Sequence, residues 1–180
     1  MPKHRIFVSI DIPEKLKNIV ESYLASFLFK KENWHITVVF CGYLDEESLN
    51  KLKETAEKIV QNIKKFELIP DKIIFAPPKR TPRMVWLTFK YSPEFLKLSK
   101  SFSEFSQDEF NQEKREQIPH LNLVRFKEVH YSELKKFLLE EGIDLKNKTE
   151  PFLVESINIM ESHLLPAGPK YELLCRNYLK

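Results

Sequence analysis

Two short segments of this 180-residue chain share a pattern that could do acid–base chemistry: His35-Ile36-Thr37-Val38 and His120-Leu121-Asn122-Leu123. On a β-strand, positions i and i+2 share one face. His35 and Thr37 would then project together, with Ile36 and Val38 turned to the core. His120 and Asn122 would pair off in the same way. Imidazole titrates near neutral pH, so one histidine can be a neutral base while the other is a charged acid. Thr37 and Asn122 can donate hydrogen bonds to a phosphoryl oxygen. Such a site needs no metal. A single H-x-[ST]-x segment says little, because a strand histidine with ordinary hydrogen bonds reads the same way. The second copy, at the same parity, is what points to a site. His4, His130 and His163 have no repeated context and read as surface or structural residues.

The glycines exclude other chemistries. There are only three, Gly42, Gly142 and Gly168. A dinucleotide-binding turn or a P-loop needs them clustered, so phosphate here would be held by side chains. The net charge of +3 is small, but it is unevenly spread. Residues 1–90 hold sixteen Lys and Arg against eleven Asp and Glu. The stretch from Lys72 to Lys90 has five basic residues and no acid, with Lys79, Arg80 and Arg83 in a proline-rich loop. That loop suits a polyanion, or is simply a solvated surface loop. Cys41 and Cys175 read as structural thiols, with a disulfide the alternative. No apolar run is long enough for a transmembrane helix and the N-terminus lacks signal-peptide features, so a cytoplasmic location is expected.

The histidine segments need strands to carry them. Residues 5–10 and 34–41 read as strands. A helix follows Pro13, and Asp45 caps a second with Leu49, Leu52, Ala56, Ile59, Val60 and Ile63 on its apolar face. Residues 66–76 and 84–90 read as paired strands. Ser92-Pro93 opens a third helix through Phe95, Leu98, Phe102 and Phe105. Residues 106–118 read as a loop and 119–126 as a strand. A short helix is expected near 131–140, capped by Gly142. Strands at 151–161 and 170–179 flank a turn at 165–169. Phe7 and Phe40 read as core. This order argues for an α+β fold with antiparallel sheets.

Several blocks together resemble the 2H phosphoesterase superfamily, and within it the RNA 2′,3′-cyclic phosphodiesterase branch, historically called 2′-5′ RNA ligase. They are Arg5 to Ile12, Asn33 to Gly42, Pro78 to Trp86, Pro119 to Arg125 and Glu161 to Tyr171. The resemblance covers nearly the whole chain. It implies a single bilobal domain over residues 1–180. Two antiparallel sheets with flanking helices would be related by a pseudo-twofold axis, with a basic cleft between lobes. It implies hydrolysis of an RNA-terminal 2′,3′-cyclic phosphate to a 2′-phosphate, with no cofactor and no metal. His120 would be the base that activates water, and His35 the acid that protonates the departing 3′ oxygen. Thr37, Asn122 and Arg125 would hold the phosphate. Strict alternation puts Arg125 on the face opposite His120, so its role requires a strand end or bulge. An ordinary surface or ion-paired arginine is the alternative.

The family has Ser or Thr where this chain has Asn122. That departure keeps one other reading open, an RNA-end-binding protein with weak or no turnover. The family's historical name adds a third, 2′-5′ RNA end joining, the reverse of the same chemistry. The expected partner is RNA with 2′,3′-cyclic phosphate ends, tRNA fragments among the candidates. A monomer is expected because each chain supplies both histidine strands.

Overall fold

The computed structural model describes residues 3–24, 31–77, 81–112, 117–126, 132, 135–136, 149–166 and 168–180. Nine strands and three helices are described: β1 (His4–Asp11), α1 (Glu14–Leu24), β2 (His35–Leu44), α2 (Glu46–Val60), β3 (Phe66–Leu68), β4 (Pro70–Ala76), β5 (Met84–Phe89), α3 (Pro93–Phe110), β6 (His120–Arg125), β7 (Phe152–Val154), β8 (Ser156–Leu165) and β9 (Gly168–Tyr178). A 3₁₀ turn, Lys31–Asn33, leads into β2. None of the described helices is long and apolar enough to cross a membrane.

Seven strands form one sheet in the order β4-β5-β6-β2-β1-β8-β9, and β3 pairs with β7 in a second, two-stranded sheet. Every described pairing is antiparallel. The two large sheets expected from the sequence are therefore two wings of one. Their junction is a single residue pair, Ile36 with Leu121, between the two histidine strands. Sequence spacing reveals the strands but not whether their edges meet.

One face of β1 and β2 is the core. Ile6, Val8 and Ile10 alternate along β1, each no more than 2% exposed. Burying such a side chain contributes about 1.5–3 kcal/mol. Helix α3 covers the back of β2. Its buried face runs Phe95, Leu98, Ser99, Phe102, Ser103 and Ser106. The serines are small enough to bring the helix close to the strand: Ser99 Oγ donates to the Val38 carbonyl at 3.0 Å, and Ser106 Oγ lies 3.7 Å from Cys41 Sγ. The helix N-termini are capped as the sequence predicts, by Asp45 and Ser92 accepting from Ser48 and Phe95 backbone N–H. Cap hydrogen bonds of this kind contribute about 1 kcal/mol.

Three local expectations change. Residues 106–110, read as loop, complete α3. The polar run Ser106-Gln107-Asp108-Glu109 hid the helix, but its period continues to Phe110, whose ring meets Phe105 at 5.2 Å. The helix ends at Asn111 in the left-handed conformation, φ 52°. The final turn is tighter than expected, with Leu165 paired to Gly168. Phe40, read as core, is 52% exposed. Both cysteines are free, Cys41 buried and Cys175 half-buried, with no disulfide between them. The helix expected near 131–140 lies mostly outside the described residues, as do Gly142, His130, Lys79 and Arg80.

Candidate active site

The junction of the two wings brings the histidine segments together. Ile36 and Leu121 face each other in register. Carrying that antiparallel register one residue each way sets His35 against Asn122 and Thr37 against His120. All four side chains share a face because cross-strand partners do. Ile36 and Leu121 are fully buried on the other side. The parity expected from the two segments is thus what the sheet displays.

The imidazoles are held in matching ways. His35 Nδ1 lies 2.8 Å from the Asn33 carbonyl, and His120 Nδ1 lies 2.7 Å from the Ile118 carbonyl. A carbonyl can only accept, so each Nδ1 carries the proton. In the neutral ring Nε2 is then the acceptor available to a substrate. Asn33 is itself anchored, donating from Nδ2 to the Pro169 carbonyl at 3.0 Å.

Aromatic rings pack against both histidines. Phe7 and Tyr171 have ring centroids 4.8 and 5.1 Å from that of His35. Trp86 stacks on His120 at 3.9 Å. Burial in these surroundings holds His35 down to about 4, against partial support from the Asn33 carbonyl. The nearby His120 lowers it further, and the Asp11 carboxylate pulls weakly the other way. Burial also lowers His120, with the Ile118 carbonyl opposing. Both rings are therefore neutral in the free protein at neutral pH, and their mutual repulsion disfavours protonating both.

The phosphate-binding candidates differ in their state. Thr37 is 7% exposed. Asn122 Nδ2 lies 3.5 Å from the Met84 sulfur, a weak acceptor, and Asn122 Oδ1 is buried with no hydrogen-bond partner. Arg125 reaches the histidine face through a bulge. Trp86 pairs with Asn122, but the next pair is Val85 with Val124, which leaves Leu123 unpaired. Alternation is reset, and Arg125 stands opposite Met84 on the side of Trp86 and Asn122. This is the irregularity that the expected role of Arg125 required.

Other residues beside the site were not singled out from the sequence. Asp11 pairs in register with His35. Its carboxylate accepts from Asn158 Nδ2 and Arg176 Nη2, both at 2.8 Å. Arg176 Nε also donates to Asn158 Oδ1 at 3.0 Å, which closes a triangle beside the first histidine. These residues lie on β1, β8 and β9. Period-2 alternation alone marks them as sharing the site face, but only pairing order shows they are adjacent. Arg83, in the described part of the basic loop, is exposed.

Known proteins share this arrangement of chain. The LigT like Phosphoesterase family matches residues 6–86. The RNA 2′,3′-cyclic phosphodiesterase of Methanocaldococcus jannaschii is 30% identical over 177 residues, covering 94% of this chain and 98% of that one. The protein of the same name from Thermotoga maritima is 25% identical over 179 residues, covering 94% and 92%. Among solved structures, E. coli LigT in apo form superposes with a TM-score of 0.75 at 19% identity over 99% of both chains. TT0787 of Thermus thermophilus superposes with a TM-score of 0.76 at 19% identity over 97% of both. The family model covers the first half of the chain, the relatives and the fold match cover nearly all of it, and the chain belongs to the LigT-like phosphoesterases.

Proposed function

We propose that the protein is an RNA 2′,3′-cyclic phosphodiesterase that opens a terminal cyclic phosphate to a 2′-phosphate without a metal. One observation carries the reading. Two imidazoles on adjacent strands each have Nδ1–H tied to the carbonyl two residues upstream, which leaves both Nε2 atoms for one substrate. The family's full-length relatives of the same name support the substrate class.

His120 Nε2 takes a proton from water as the water oxygen bonds to phosphorus. The P–O3′ bond breaks, and His35 Nε2 delivers a proton to O3′. Solvent exchange then restores the starting protonation. The proton on His35 arrives with the substrate, because a phosphodiester anion beside a desolvated imidazole favours its charged form. Thr37 and Asn122 donate to the phosphate, and Arg125 offsets its charge. The whole chain acts as one bilobal unit and as a monomer, since both histidine strands come from one chain.

The test is a short RNA ending in a 2′,3′-cyclic phosphate, incubated with EDTA. A 2′-phosphate product is expected. His35→Ala and His120→Ala should each reduce the rate by ~10²–10⁴-fold. A 3′-phosphate product, or activity that EDTA abolishes, would overturn the mechanism. End joining through a 2′-5′ bond is the same displacement with an RNA 5′ hydroxyl in the place of water. It would show as joined product when an RNA with a free 5′ hydroxyl is added. The unpartnered Asn122 Oδ1 favours a second reading, weak turnover with retained RNA-end binding.

A further inference from the structure

The proposed reaction leaves Arg5 without a task. Arg5 lies on β1, two residues before Phe7 and on the same face. Its Nη1 donates to Ser162 Oγ at 3.1 Å. Ser162 is 6% exposed and pairs in register with Tyr171 on β9. Tyr171 leans back across the sheet, with its ring centroid 5.0 Å from Phe7 and 5.1 Å from His35. Arg5, Ser162 and Tyr171 thus form one polar row beside the His35 end of the site.

Among the described residues no carboxylate pairs with Arg5 or with Arg125. Arg176, on the same sheet, is neutralised by Asp11 at 2.8 Å. The fold therefore compensates one arginine here and leaves two uncompensated. Both act on Tyr171: burial raises its phenol above the ordinary value, while Arg125 and Arg5 pull it down. Two unpaired guanidinium groups near one phenol repel each other and favour an anion between or beside them. A single phosphate held at Thr37, Asn122 and Arg125 leaves the Arg5 end unfilled.

We propose that Arg5, with the Ser162 and Tyr171 hydroxyls, forms a second anion site that takes the phosphate on the 5′ side of the terminal nucleotide. The proposal rests on the phosphodiesterase reading and deepens it. In that reaction the acid stands on the leaving-oxygen side, so the ribose and the rest of the chain extend from the scissile phosphate toward His35. Phe7 and Tyr171 line that path, and Arg5 waits beyond them. Arg5 Nη1 uses one of five guanidinium N–H donors on Ser162, leaving the fork for phosphate oxygens. The enzyme then distinguishes an RNA end from a free cyclic nucleoside by charge.

The experiment compares ligands that differ only in a 5′-phosphate. Binding is measured for adenosine 3′,5′-bisphosphate and 3′-AMP. Hydrolysis is measured for adenosine 2′,3′-cyclic phosphate with and without a 5′-phosphate. The wild-type protein should prefer the 5′-phosphorylated member by ~10-fold or more, the range of a charge-assisted hydrogen bond. Arg5→Gln should bring the ratio close to one, and Tyr171→Phe should reduce it by a few-fold. A wild-type ratio of one overturns the site, with or without the variants. So does a ratio that Arg5→Gln leaves intact. Preferential binding without hydrolysis of any cyclic substrate would support the second site and remove the phosphodiesterase reading. Hydrolysis with a ratio of one would do the reverse, and failure to bind either nucleotide would remove both.

Discussion

Met84 stands opposite Arg125 across the β5–β6 ladder, one residue out of step with Trp86 and Asn122 beside them. The offset lies at Leu123, which is fully buried. Because of it, an arginine three residues from Asn122 shares that residue's face. Arg125→Met should lower kcat/KM for a cyclic-phosphate RNA by ~10–100-fold, the value of a charge-assisted hydrogen bond. The slope of log affinity against log salt should shrink by about 0.7 on single-stranded RNA. Arg125 is exposed, so urea midpoints should barely move. A strong loss of stability without a loss of affinity would show that the residue is structural.

The histidines predict a pH dependence. Burial holds His35 down to about 4 in the free protein. In the unfolded chain it titrates near 6.5. Between those values the unfolded state binds more protons than the native state, so stability should rise with pH from about 4 to 6.5. His120 is lowered too and contributes in the same direction. Urea unfolding across this window should show the slope, and His35→Asn should flatten it. NMR titration should find both imidazoles below 6.5, with inorganic phosphate shifting both upward.

In the proposed site Asn122 would meet the phosphate with one weak donor contact to give up and one orphaned acceptor. Its N–H leaves Met84 Sδ at little cost, but a buried carbonyl oxygen beside phosphate is unfavourable. Asn122→Thr restores a compact hydroxyl donor and removes that oxygen. Turnover should rise, by as much as ~10²-fold if the donor reaches the developing charge. Stability should rise or hold, since an unsatisfied buried polar atom costs about 1–3 kcal/mol. A fall in kcat would show that the amide is matched to this site.

Gly42 is required by its backbone. It lies on β2 at φ +80°, a conformation strained for any residue with a Cβ, whereas the Gln112 amide 2.7 Å from such a Cβ ends a flexible side chain that can move aside. Gln112 follows the end of α3 and donates to the Phe110 carbonyl at 3.4 Å. Gly42→Ala should therefore destabilise by about 1–3 kcal/mol, read from the urea midpoint.

The sequence made the site legible wherever chemistry and periodicity coincide. His35 with Thr37 and His120 with Asn122 follow from parity alone. The caps at Asp45 and Ser92 follow from residue type. Three features were not legible, each for a physical reason. Ser106 to Phe110 are helical because buried serines let α3 approach β2, an arrangement that tertiary contact decides. Phe40 faces away from the core because a bulge resets the alternation of β2, with Ile6 paired to Gly42 and Phe7 to Phe40; the two rings share the site face, where His35 and Tyr171 cover Phe7 and leave Phe40 exposed. Phe7, Tyr171 and Trp86 come to the histidines through strand order, which no local pattern encodes. Asp11 and Arg176 are 165 residues apart and meet at 2.8 Å for the same reason.

Ile36 and Leu121 supply the only paired rung described between the two wings of the sheet. A zipper one tooth long does little to hold two panels in line. Any phosphate gripped by Thr37 on one panel and Arg125 on the other acts as a rivet across it. The occupied protein is then mechanically stiffer than the empty one at its midline. Amide exchange at Ile36 and Leu121 would register that stiffening directly, through two buried residues that never touch the substrate.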